Sequence, residues 1–212
     1  MQVLGLKAKK DVSEICKTAD GAVVGSSIVK IIEKGADIVE IGMPFSDPMA
    51  DGPTIQLASK RAIDNGTNLE TIFKICNHIR EKNLSIPIVL MGYYNVILHY
   101  GIKNFVDKIN SIGVDGLIIV DLQPEEDQEL YDTLKSKNID LIRLITPTTT
   151  SKRLSTITNQ ASGFLYYVTI TGITGQKSAN IQELKKIIPN IRKYSQLPII
   201  AGFGIKSKKR CI

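Results

Sequence analysis

The feature that most constrains this chain is a regular alternation between short runs rich in β-branched residues and segments of helical period. The runs are Val3–Leu6, Ala22–Val24, Asp37–Ile41, Ile86–Met91, Gly116–Val120, Asp140–Leu144, Phe164–Thr169 and Pro198–Ala201. Between them Leu69–Lys82, Ile102–Ile112, Glu125–Lys137 and Ile181–Tyr194 carry apolar residues at helical spacing. Several runs, among them PIVLM (87–91), GLIIVDL (116–122) and PIIAG (198–202), read as continuously apolar stretches instead of alternating ones, which marks strands covered on both faces. Strand alternating with helix implies parallel βαβ units. Eight strands in 212 residues favour a closed α/β barrel of the (β/α)8 type over an open doubly wound sheet, and a single domain over residues 1–212 is expected.

Composition narrows the class further. The chain is 43% hydrophobic and 23% charged, ordinary values for a globular protein and unlike disordered or collagenous sequences. No apolar run reaches the roughly 20 residues of a membrane span. The opening MQVLGLKAKK lacks the apolar stretch and cleavage site of a signal peptide, so a cytoplasmic location is expected. Cys16, Cys76 and Cys211 are far apart and form no CxxC pair, which argues against a disulfide framework or a zinc site. The net charge of +6 is dispersed, with basic clusters only at 7–10 and 206–210. Such a balance suits a solvated surface or an anionic substrate, and nucleic-acid binding is not expected.

One internal duplication stands out. GLKAKK (5–10) nearly repeats GIKSKK (204–209), and the first copy runs on into DVSE (11–14) where the second soon stops. Residue 11 therefore reads as the continuation of residue 209, as in a circular sequence cut open with a small overlap. No period of 20–50 residues marks a solenoid.

Three features could carry chemistry. Glu40 interrupts the apolar run 37–41, and a carboxylate inside a sheet is costly unless it is paired or used. It would serve either as a functional group at a strand end or as a glutamate salt-bridged at the rim. The stretch Pro44–Thr54, with three prolines, two aspartates and a glycine, forms a shaped loop. There Asp51 could be functional or could cap a helix with Pro53 in its first turn. Glycines after apolar runs, at Gly25-Ser26, Gly172–Gly175 and Gly202–Gly204, could bring backbone N–H groups to a phosphate or could simply make turns. His78 and His99 lack any partner at ligand spacing, and neither a metal motif nor a nucleotide fingerprint is present.

Together these segments resemble the tryptophan synthase alpha subunit family. The matching stretches are GAVVGSSIVKIIE (21–33), GADIVEIGMPFSDPMADGPTIQ (35–56), LMGYYN (90–95), GVDGLIIVDLQPEE (113–126), YYVTITGITG (166–175) and AGFGI (201–205). The resemblance implies a lyase of tryptophan biosynthesis that splits indole-3-glycerol phosphate into indole and glyceraldehyde 3-phosphate by a retro-aldol reaction. It implies that Glu40 is the general acid–base and that Asp51 accepts the indole N–H. By the same resemblance Tyr166 and Thr174 line and close the site, Phe203, Tyr93 and Ile118 form the indole pocket, and Gly175, Gly204, Gly25 and Ser26 hold the phosphate. Pro44 and Asp47 would meet a beta subunit in an alpha2-beta2 type complex, and no cofactor, metal, nucleic acid or membrane is implied.

The order of segments departs from the family. GAVVGSSIVKIIE belongs near the family's C-terminus, yet here it precedes GADIVEIG, and the family's first strand is absent. Residues 1–34 thus resemble the C-terminal segment, and 35–212 the family from its second strand onward. Two arrangements follow for the duplicated run Val3–Leu6. Either it inserts as a strand that separates Gly204 from Gly25, or it stays out and leaves seven strands with an open seam. Three other functions fit parts of the pattern: an alpha-like subunit that binds a beta subunit without catalysis, another phosphate-binding barrel, and a nucleic-acid binder. An aldolase version lacks the strand-end lysine that a Schiff base requires.

Overall fold

The computed structural model describes residues 21–22, 36–168 and 181–202. Within these, two compact units form, one from residues 36–50 and 55–141, the other from 21–22, 51–54, 142–168 and 181–202. Among the described residues there are seven strands, and every pairing between them runs parallel. The fold class is the parallel α/β one that the sequence predicts. The run Val3–Leu6 lies outside the described residues.

In the first unit β2 (Val39–Gly42), β3 (Ile88–Gly92) and β4 (Gly116–Ile119) pair side by side. The register sets Glu40 beside Val89 and Val89 beside Gly116; the next row on the same face is Gly42, Met91 and Ile118. Neighbours in a parallel sheet share a face, so Val39, Ile41, Ile88 and Leu90 form the other face, and all four are buried. The helices are α1 (Pro53–Asp64), α2 (Leu69–Lys82), α3 (Tyr94–Tyr100), α4 (Ile102–Ile112) and α5 (Gln128–Ser136). In α4 the buried residues Ile102, Phe105, Val106, Ile109 and Ile112 form one helical stripe. Gly113 ends that helix at φ 83°, a left-handed cap that returns its N–H to the Ile109 and Asn110 carbonyls. Phe73, Tyr100 and Phe105 stack between α2, α3 and α4. No residue of α1 is fully buried.

At the N-terminal ends of these strands Arg80 acts as a clamp. Its guanidinium donates to the Leu84, Ile86 and Gly113 carbonyls and to Asp115, and Asp115 also accepts from the Ile88 N–H at 2.8 Å. The planar fork suits this role, since its donors reach several acceptors at once.

In the second unit β6 (Leu165–Val168) pairs with β7 (Ile199–Gly202), and β5 (Asp140–Ile145) pairs with β6 through Arg143–Ile145. Leu165, Tyr167, Ile199 and Ala201 pack against Leu154 and Ile157 of α6 (Ser151–Asn159) and Leu184, Ile188 and Ile191 of α7 (Ile181–Ile191). The short strand β1 (Gly21–Ala22) pairs directly with β7, Gly21 beside Ile200 and Ala22 beside Ala201. No strand intervenes between 21–22 and 200–201, so the arrangement in which Val3–Leu6 separates these two runs is excluded at that point.

Candidate active site

The first unit gathers its chemistry on one face of β2, β3 and β4 and in the loop after β2. Glu40 sits on the sheet face whose neighbours are Val89, Gly116 and, one row further on, Met91 and Ile118. Val89 and Ile118 are buried and Glu40 is half-buried among them. Among the described residues nothing hydrogen-bonds its carboxylate. Burial therefore disfavours the charged form, and the pKa rises from the ordinary 4.5 to about 7. A carboxyl poised there can both give and take a proton near neutral pH. The rim salt bridge considered for Glu40 has no counterpart among the described ion pairs. The strand itself runs Val39–Gly42, so Glu40 is its second residue and lies further from the strand end than the apolar run suggests.

Tyr93 follows β3 in extended conformation (φ −112°, ψ 145°) and carries the alternation one step beyond Met91, onto the face of Glu40. It is buried, and its ring lies 5.3 Å from that of Phe45. Its hydroxyl accepts the Ala50 backbone N–H at 3.0 Å. The loop after β2 is fixed at further points. Met43 N–H donates to the Met91 carbonyl, and Ser59 on α1 both accepts from Phe45 N–H and donates to its carbonyl, each at 2.9 Å. Between these anchors the tip faces water: Asp47 is exposed, with Ser46 donating to its carboxylate, and Met49 is 82% exposed. Pro44 is half-buried.

Pro53 is the first residue of α1, as a proline in the first turn should be. Just before it come buried Gly52 and half-buried Asp51. In the second unit Tyr166 is buried on the face opposite Leu165 and Tyr167. A Cβ at Gly202 would overlap the Tyr166 hydroxyl and ring, so only glycine leaves room for that side chain. Thr174, Gly175, Phe203, Gly204, Gly25 and Ser26 lie outside the described residues. His78 is exposed on α2 beside Glu81, and His99 is exposed on α3. Sequence reasoning passed over Phe45, Ser59 and the Ala50 amide. The only available signal was that Phe45 and Ala50 fall inside the proline-rich stretch.

Comparison with known proteins gives a consistent picture. The family described as "Tryptophan synthase alpha chain" matches residues 32–212. The tryptophan synthase alpha chain of Acidiphilium cryptum (strain JF-5) is 49% identical over 174 residues, which is 82% of this chain and 63% of that relative. The one from Geobacter sp. (strain M21) is 46% identical over 191 residues, 90% of this chain and 71% of the relative. The chain thus spans roughly two thirds of the length of such relatives. Among solved structures, tryptophan synthase subunit alpha from Legionella pneumophila str. Paris matches with a TM-score of 0.77 and 36% identity, covering 85% of this chain and 66% of that one. A tryptophan synthase complex from Pyrococcus furiosus matches with a TM-score of 0.73 and 32% identity, covering 84% and 70%. These likenesses bear out an α/β fold of the barrel class.

Proposed function

This chain belongs to the tryptophan synthase alpha chain family, and from that premise we propose that it is the lyase that cleaves indole-3-glycerol phosphate to indole and glyceraldehyde 3-phosphate. The observation that carries the reading is the neutral-range carboxyl of Glu40, set by burial on an apolar sheet face. In its protonated form Glu40 delivers a proton to the ring carbon that bears the glycerol chain, which makes a cationic indolenine. Asp51 accepts the ring N–H and offsets that charge. Glu40, now a carboxylate, takes the proton from the hydroxyl on the adjacent glycerol carbon. The carbon–carbon bond then breaks with its electron pair returning to the ring, and the hydroxyl carbon becomes the aldehyde. One group can serve both steps because its pKa of about 7 lies near working pH.

Ile118 and Tyr93, on the face of Glu40, take the indole ring, and Phe203, Tyr166 and Thr174 keep the roles that the family resemblance implies. Gly175, Gly204, Gly25 and Ser26 hold the phosphate through backbone N–H groups. Gly25 and Gly204 each stand three residues beyond the paired Ala22 and Ala201, which supports a shared site built from opposite ends of a circularly permuted sequence. The exposed loop tip with Asp47, flanked by Pro44, is the surface offered to a beta subunit, and the matching Pyrococcus furiosus structure is of a tryptophan synthase complex. No helix among the described residues is long and apolar enough to cross a membrane, and the enzyme works in the cytoplasm.

The test follows indole from indole-3-glycerol phosphate, with and without a beta subunit. The chain contains no Trp, so indole fluorescence comes from substrate and product alone. Release that vanishes in Glu40→Gln supports the lyase. A folded chain that releases none sinks it.

A further inference from the structure

We propose that the Tyr93 hydroxyl is a positioning group, which acts by holding the backbone immediately before Asp51; this rests on Asp51 working in the lyase reaction. Asp51 sits in a loop whose exposed tip includes Ser46, Asp47, Met49 and Ala50. A carboxylate on such a loop serves chemistry only if its backbone is fixed, since a displacement of about 1 Å can cost on the order of a hundredfold in rate. The far end of the loop is held by Ser59, through both polar groups of Phe45. At the near end the Ala50 N–H donates to the Tyr93 hydroxyl at 3.0 Å, and Asp51 is the next residue. Tyr93 makes a firm post. It is only 3% exposed, it follows directly on β3, its ring stacks on Phe45, and the neighbouring Tyr94 N–H is tied to Asp121 at 2.9 Å. A side chain that only lined an apolar pocket would gain nothing from a hydroxyl; Phe would fill the same space without a buried polar atom to satisfy. The hydroxyl accepts an amide 43 residues away in sequence.

The full chain with a beta subunit tests this. Tyr93→Phe keeps the ring and removes the acceptor, so kcat should fall about tenfold with KM within about twofold, because positioning acts on the transition state and not on substrate affinity. Amide exchange at Ala50 should quicken while β3 and β4 stay protected, a readout independent of turnover. In an Asp51→Glu background, where the carboxylate is already displaced, the same substitution should cost less than about twofold, the non-additivity expected of groups acting through one another. A parental kcat in Tyr93→Phe, a rise in KM alone, or an equal tenfold loss in both backgrounds overturns the proposal. Asp51→Asn with parental kcat overturns it together with the role of Asp51. Loss in Asp51→Asn beside a parental Tyr93→Phe overturns the anchor alone.

Discussion

Two carboxylates of the first unit's three-stranded sheet are treated in opposite ways. At the N-terminal end Asp115 accepts from the Ile88 amide and from Arg80, which itself gathers three backbone carbonyls. These two charges pair with each other, and the outcome is a locked turn. One row further along, on the apolar face, Glu40 lies among Val89, Gly116 and Ile118 without a described partner, and its pKa rises to about 7. One site pairs its carboxylate and gains rigidity. The other leaves a carboxylate unsettled and gains a proton that can move.

The largest effect that could break this contrast concerns turnover. Glu40→Gln should lower indole release by about a thousandfold, the scale of a general acid–base, measured with indole-3-glycerol phosphate and a beta subunit. The same substitution should act on stability in the opposite direction. Folding raises the Glu40 pKa, so the folded state holds a proton that the unfolded chain releases near 4.5, and parental stability falls as pH rises. Denaturant titrations should therefore show Glu40→Gln gaining on the parent from about pH 4.5 and levelling off above pH 7, at a difference approaching 3 kcal/mol. At the Arg80 clamp Arg80→Met should cost about 2 kcal/mol in urea while leaving turnover per folded molecule unchanged, because it strands three carbonyls that take no part in the reaction. The smallest effect belongs to Gly113→Ala. It forces a Cβ into a left-handed cap and against the Arg80 Nε at 3.2 Å, and should cost about 1 kcal/mol without touching activity.

Sequence alone made some of this legible and hid the rest for physical reasons. The stripe of α4 and the apolar spacing of α2 announce those helices at the bounds they adopt. The helices α3 and α6 went unseen because one is seven residues with Tyr, Val and Ile, poor helix formers, and the other is rich in Ser and Thr with only Leu154 and Ile157 buried. The exact start of α1 was blurred because no residue of it is fully buried to set a period. Glu40 was legible as a carboxylate in an apolar strand, and Ile118 falls on its face through strand register. The Tyr93–Ala50 bond was not, since its partners are 43 residues apart and one of them is a backbone amide that every residue but proline carries. The seam between β1 and β7 became readable only through its pairing, because a duplicated run fits two arrangements equally well until one register is seen.

The most direct test of the account is the titration of the Glu40 side-chain carboxyl itself, followed by carbon NMR in the folded protein with Glu40→Gln to assign the signal. A midpoint near 7 would establish the buried, proton-exchanging carboxyl on which both the contrast and the chemistry depend. A midpoint near the ordinary 4.5 would mean that Glu40 is as settled as Asp115, and would contradict it.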